Sequence, residues 1–139
     1  MDALYTATAH ATGDGRNGHA TSDDGIIDLD LRVPEEMGGP GGATNPEQLF
    51  AAGYAACFHS AIKFVAMQDK LDTTDSEVSA TVGIGLAESG GFGLEVELDV
   101  ALPKLDRDTA LALVERAHEV CPYSNATRGN IEVKLSLID

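Results

Sequence analysis

Apolar residues in this chain fall into two spacings. Ile27, Leu29, Leu31 and Val33 alternate with Asp28, Asp30 and Arg32. The same alternation runs through Val78, Ala80, Val82, Ile84 and Leu86, and again through Phe92, Leu94, Val96, Leu98, Val100 and Leu102. A period of two predicts strands with one wet face. Glu88-Ser89-Gly90-Gly91 between the last two runs predicts a hairpin turn. Ile131, Val133, Leu135 and Leu137 predict a closing strand. Leu4 to Thr12 and His19 to Ser22 predict two short strands joined by a turn with three glycines and Arg16 at its tip.

Two segments have helical spacing instead. Asn45 to Asp69 reads as one long helix, with Asn45 as cap, Pro46 at the first helical position and Gln48 at capping-box spacing. It is apolar on nearly every side, so it must be buried all round. Asp106 caps a second helix that places Ala110, Leu113, Val114, Ala117 and Cys121 on one face, and Pro122 ends it. The order is three short strands, long helix, hairpin, helix, strand. This predicts a single α+β domain over residues 1–139 with mainly antiparallel sheet. One sheet covers one face of a helix, so the surplus apolar surface predicts an obligate homodimer.

Charge narrows the partners. The 139 residues carry 23 acids against 9 Lys and Arg, a net charge of −14. Phosphate contacts need clustered cations and none cluster here, which argues against nucleic acid and disfavours an anionic membrane surface. The opening MDALYTATAH has no basic segment followed by an apolar run, and His59 and Lys63 interrupt the long helix. We therefore expect a soluble, cytoplasmic protein rather than a secreted or membrane-spanning one. Gly83-Ile84-Gly85 and the glycines of 38–42 lack the remaining residues of nucleotide-binding loops.

The candidate chemistry lies in Cys57 and Cys121, one on the inner face of each helix. Free cysteine is often mere core filling. The alternative is a reactive thiol, and Arg16 and Arg128 sit on turns that could bring a cation to it and favour the thiolate. A metal site built from Cys57, His59, His118 and Cys121 would need a broken helix, because residues 57 and 59 point about 200° apart. His10 and His19 are expected on strands near solvent, and Glu47 could be a plain first-turn acid favoured by the helix dipole.

Thr44 to Ser60, TNPEQLFAAGYAACFHS, and Val120 to Ile131, VCPYSNATRGNI, closely resemble the two signature blocks of the organic hydroperoxide resistance proteins, a branch of the OsmC-like superfamily. The LYTATAHATG opening, the MGGPGG loop and the GFGLEVEL strand extend the resemblance over essentially the whole chain. It implies antiparallel sheets wrapped around long central helices in an intertwined homodimer. It also implies a thiol peroxidase for alkyl and fatty-acid hydroperoxides, with no bound cofactor or metal and with dihydrolipoamide or a lipoylated protein as external reductant.

On that resemblance Cys57 matches the peroxidatic cysteine, which becomes a sulfenic acid, and Cys121 the resolving cysteine, which closes a disulfide with it. Arg16 and Glu47 match the active-site arginine and its carboxylate partner. Phe50, one heptad before Cys57, and Tyr123 are candidates for an apolar substrate pocket. The rival reading is a redox-sensing or ligand-binding module that keeps two thiols and turns nothing over. Ten residues of unbroken helix separate Glu47 from Cys57 by about 15 Å. The pair is therefore expected to serve the neighbouring subunit's thiol, unless the helix breaks near Gly53. Three glycines in six residues would let the Arg16 turn swing aside after oxidation.

Overall fold

The alternating runs form strands in two separate three-stranded sheets, β1–β2–β3 and β4–β5–β6. The computed structural model describes every residue from Met1 to Asp139, and the chain divides into two units, Met1–Leu49 and Phe50–Asp139.

In the first unit β1 (Ala9–Thr12), β2 (His19–Ser22) and β3 (Asp28–Asp30) form an antiparallel meander. The first strand starts later than its alternation predicts. Leu4 and Tyr5 are exposed and outside it, because a Thr/Ala run offers no apolar face to hold a longer ladder. The turn between β1 and β2 contains a short 3-10 segment, Gly15–Asn17. Gly18 closes it, and a Cβ there would lie 2.2 Å from the carbonyl oxygen of Thr12, so no other residue fits. The turn is pinned from outside. The Val33 amide donates to Asn17 Oδ1 at 2.9 Å, and Arg32 Nη1 donates to the Gly18 carbonyl at 3.2 Å. Only Gly18, Leu31 and Asn45 of this unit are buried, while Ile26 and Ile27 face solvent.

Helix α1 (Pro46–Gln68) begins at the end of that unit and runs unbroken through Gly53 into the next. Its start is half of the expected capping box. The Gln48 amide donates to Asn45 Oδ1 at 2.9 Å, but the Gln48 side chain accepts from Thr44 Oγ1 at 2.8 Å instead of reaching back to the cap amide. The predicted burial on every side is not met within one chain. Tyr54, Phe58, Ala61, Ile62, Val65 and Ala66 form a buried stripe, whereas Phe64 and Met67 are 49% and 72% exposed. By length and composition α1 is also apolar enough to cross a bilayer.

The rest of the second unit supplies the cover for that stripe. β4 (Glu77–Leu86) and β5 (Phe92–Ala101) pair as the antiparallel hairpin that the alternation predicts. β6 (Val133–Ile138) joins β5 in parallel. Two helices lie between β5 and β6 in sequence, and a crossover of that length returns the chain in the same direction. Val96, Leu98 and Val100 of β5 and Leu113, Val114 and Ala117 of α2 (Arg107–Val120) share one buried cluster with the α1 stripe. Asp106 caps α2, accepting from the Thr109 amide at 3.1 Å. Pro122, expected only to stop α2, also opens a further helix, α3 (Pro122–Thr127), where its fixed φ suits the first position. Six residues are too few to show helical periodicity in a sequence.

His19 joins β2 to β3 through both ring nitrogens, Nε2 to Asp28 Oδ1 at 2.5 Å and Nδ1 to Asp30 Oδ1 at 2.8 Å. Hydrogen bonds to Asp30 first and Asp28 second raise its pKa above the ordinary value, and the same contact with His19 holds Asp30 below the usual carboxylate range. A raised pKa makes this clamp complete below the ordinary histidine value of about 6.5, and it is lost as pH rises through the higher folded value. Amide exchange across residues 19–30, corrected for intrinsic rates, should therefore show faster opening as pH moves from mildly acidic to alkaline. Protection independent of pH would contradict the clamp.

Candidate active site

The two thiols are brought together by the core. Cys57 lies beside Phe58 on α1, and Cys121 sits in extended backbone between α2 and α3. Their Sγ atoms are 3.4 Å apart and both cysteines are free. That separation is contact without a bond, since a disulfide requires about 2.05 Å. Cys121 is fully buried and Cys57 partly so.

Burial pushes the Cys57 thiol above the ordinary cysteine value, and the adjoining Cys121 adds to the rise. The backbone N–H of Tyr123, donated to the sulfur, opposes it. No cation of the second unit offsets the burial. Arg128, which the sequence offered as such a cation, is engaged elsewhere: it donates to Asn125 Oδ1 and to the His118 carbonyl.

In the first unit Arg16 and Glu47 form a two-pronged ion pair, Nη1 to Oε2 at 2.7 Å and Nη2 to Oε1 at 2.8 Å. The 3-10 turn sets the arginine and the first turn of α1 sets the carboxylate. The fork geometry is the strong form of this contact. The Arg16 hydrogen bonds hold Glu47 below the usual carboxylate range against the opposing effect of burial. Glu47 in turn raises the pKa of an arginine that is already always charged. Glu47 is 14% exposed at its side chain, so more than a plain helix-dipole acid is present.

Phe50 and Tyr123 also meet. Their ring centroids are 6.2 Å apart, with Tyr54 at 6.1 Å from the first and 5.7 Å from the second. With Leu94, Ala126 and Ile131, Phe50 and Tyr123 line an apolar cavity of about 340 Å³, which also carries Thr127 and Asn130. A larger hollow of about 480 Å³ lies along the β4–β5 hairpin, but its walls hold Glu88, Glu95 and Glu132 and no thiol. The apolar cavity is the one nearer the chemistry, because Tyr123 lines it and the backbone N–H of the same residue is directed at the Cys57 sulfur. Tyr123 has room there because residue 53 is glycine: a Cβ would come within 3.3 Å of the ring.

The histidines do not converge on the thiols as a metal set. His59 Nε2 bonds Ser76 Oγ at 2.8 Å, and no group of three His, Cys, Asp or Glu is arranged to hold an ion. The His118 ring lies 6.4 Å from Phe58, with a buried Nδ1 that has no partner. Burial, then the charge of Arg128, lowers its pKa.

Sequence reasoning passed over Tyr54, Ser124 and Thr127. Tyr54 Oη meets Ser124 Oγ at 2.8 Å and Thr127 Oγ1 at 3.2 Å, inside the core. The available signal was a hydroxyl three residues from each cysteine, inside the two blocks that carry the family resemblance.

Residues 39–136 match the OsmC-like protein family. The chain belongs to that family. Its relatives place it in the organic hydroperoxide resistance branch. It is 57% identical over 136 residues to the organic hydroperoxide resistance protein of Xanthomonas axonopodis pv. citri, covering 96% of this chain and 94% of that protein. It is 52% identical to the organic hydroperoxide resistance protein OhrB of Bacillus subtilis, covering 97% and 98%. A crystal structure of an organic hydroperoxide resistance protein from Legionella pneumophila superposes with a TM-score of 0.95 at 54% identity, over 99% of this chain and all of the other. The α+β fold with mostly antiparallel sheets is the fold of these proteins.

The unequal burial of the thiols has a direct consequence. A small alkylating reagent added to the reduced, folded protein should modify Cys57 well before Cys121, as read by peptide mass. Labelling of Cys121 first, or of both at one rate, would contradict the geometry.

Proposed function

We propose that this protein is a thiol peroxidase that reduces organic hydroperoxides, alkyl and fatty-acid, to alcohols. The observation that carries the reading is the 3.4 Å approach of Cys57 and Cys121 in a chain whose relatives are named for organic hydroperoxide resistance. The Cys57 thiolate attacks the terminal peroxide oxygen. The O–O bond breaks, the alkoxide takes a proton and leaves as alcohol, and Cys57 becomes a sulfenic acid. Cys121 then attacks the Cys57 sulfur, S–S forms as the S–O bond breaks, and the oxygen leaves as water with the proton that Cys121 gives up. A dihydrolipoyl dithiol, free or on a lipoylated protein, returns both thiols. No bound cofactor takes part, and the cytoplasm is the setting that keeps such a cycle reduced.

Arg16 supplies the charge. A buried thiol pushed above its ordinary pKa needs a cation to become a thiolate, and none comes from its own unit. Arg16, aimed by its fork to Glu47, stabilises the thiolate and then the charge on the leaving oxygen. The continuity of α1 through Gly53 removes the fold-back route for Glu47. The proposal is therefore that Arg16 and Glu47 of one copy serve Cys57 of a second. A homodimer also accounts for apolar residues that a single chain leaves wet, among them Leu4, Tyr5, Phe64 and Met67. The cavity of Phe50, Leu94, Tyr123 and Ile131 takes the alkyl part of the substrate; hydrogen peroxide gains nothing from it.

Consumption of an alkyl hydroperoxide with dihydrolipoamide tests the reading. Wild type should turn over, Cys57→Ser should not, and Arg16→Lys should lose roughly 10- to 1,000-fold in kcat/KM as its preorganised fork is lost. Full turnover by Cys57→Ser would remove Cys57 from the chemistry and end the two-cysteine reading; no turnover by the wild type would favour a non-catalytic thiol module. A mixed dimer of Cys57→Ser with Arg16→Ala chains should recover activity, because one site then holds both intact residues. No recovery would place the arginine and thiol of one site on one chain.

A further inference from the structure

We propose that Tyr54 is a positioning residue for disulfide closure, holding the Cys121 segment in register with Cys57 through a buried chain of three hydroxyls. The proposal rests on the reading of the two cysteines as a redox couple. Tyr54 lies three residues before Cys57 on α1, and Ser124 lies three residues after Cys121 on α3. The Tyr54–Ser124 bond at 2.8 Å therefore spans the same two segments as the thiols at 3.4 Å, one turn away on each.

The way α3 is attached gives that bond its weight. The two buried residues of this helix are Ser124 and Thr127. Both are polar, so α3 has no buried apolar side chain of its own to hold it against the core. Its attachments are the hydroxyl cluster inside the core, the Tyr123 ring against Phe50, Tyr54 and Gly53, and, at the surface, Arg128 bridging Asn125 to the His118 carbonyl. Cys121 connects it to α2 through extended backbone, which leaves the position of the buried sulfur dependent on where α3 is held.

The protons of the cluster can be assigned by counting donors. Each hydroxyl has one hydrogen to give. Thr127 Oγ1 gives its own to the backbone carbonyl of Tyr123 at 3.0 Å or of Ser124 at 3.2 Å. Ser124 Oγ and Tyr54 Oη have no backbone acceptor within reach. All three donors are satisfied when Ser124 donates to Tyr54, Tyr54 to Thr127, and Thr127 to the carbonyl. The Tyr54 hydroxyl is the link that cannot be removed without leaving buried polar atoms unpaired, which costs more than the bond itself contributes. A phenylalanine would fill the same space and break the chain.

In closure the Cys121 sulfur attacks Cys57 sulfenic acid, the S–O bond breaks, and the oxygen leaves as water with the proton of Cys121. The sulfurs must move from 3.4 Å to about 2.05 Å. A held α3 keeps Cys121 within that short approach. A loosened α3 makes closure wait for a search, while attack of Cys57 on the peroxide is untouched.

Single-turnover kinetics with an alkyl hydroperoxide separate the two steps, with dimedone trapping and intact mass to follow the sulfenic acid. Tyr54→Phe and Ser124→Ala should form sulfenic acid at the wild-type rate and close the disulfide about tenfold more slowly, the loss expected for one buried hydrogen bond. The double variant should close no more slowly than Tyr54→Phe alone, since both changes break one chain. Wild-type closure rates in the folded variants, or equal slowing of both steps, would overturn the proposal. Should Tyr54→Phe fail to fold, Ser124→Ala decides by the same criteria. A wild-type protein that forms no sulfenic acid would instead overturn the peroxidase reading, and this proposal with it.

Discussion

One helix with more apolar surface than its own chain can cover sets the terms for the rest of the structure. Burying Tyr54, Phe58, Ile62 and Val65 against β5 and α2 is the main stabilising event of the second unit. It is also what puts Cys57 at the edge of a dry interior and Cys121 inside it. The uncovered remainder, Phe64 and Met67, is surface that a second copy would bury. Core formation and site formation are therefore the same packing event.

That packing creates an electrostatic difficulty. A thiol taken from water is harder to ionise, and a second thiol beside it makes matters worse. In the proposed mechanism the answer is a permanent cation held by a carboxylate. Glu47 brings the pair with Arg16 to zero net charge but restricts the guanidinium to one orientation, so its remaining donors are aimed before substrate arrives. Pinning of the arginine turn by Arg32 and Asn17 serves the same end. Three glycines suggested a turn free to swing. The hydrogen bonds describe one that is held while the thiols are reduced.

Strands with alternating apolar residues and the two long helices were legible because periodicity and capping are local. β4 and β5 fall where Val78–Leu86 and Phe92–Leu102 place them, and Asn45 and Asp106 cap as expected. What local patterns cannot hold was missed. The parallel direction of β6 depends on the crossover, α3 is too short to show a period, and the late start of β1 depends on what the Thr/Ala run has to pack against. Cys57, Cys121, Arg16 and Glu47 were singled out chiefly through resemblance, since spacing alone left the thiols as filling or chemistry. The structure pairs them two by two. The hydroxyl chain of Tyr54 was invisible because its members lie 70 and 73 residues apart in sequence.

The proposed chemistry requires Cys57 and Cys121 to be one redox couple within a chain. Thiol titration with intact mass, before and after one equivalent of an alkyl hydroperoxide, tests it most directly. Both thiols of each chain should be lost, with a mass decrease of two hydrogens and no link between chains. Retention of both thiols, or a disulfide that joins two chains, would contradict it.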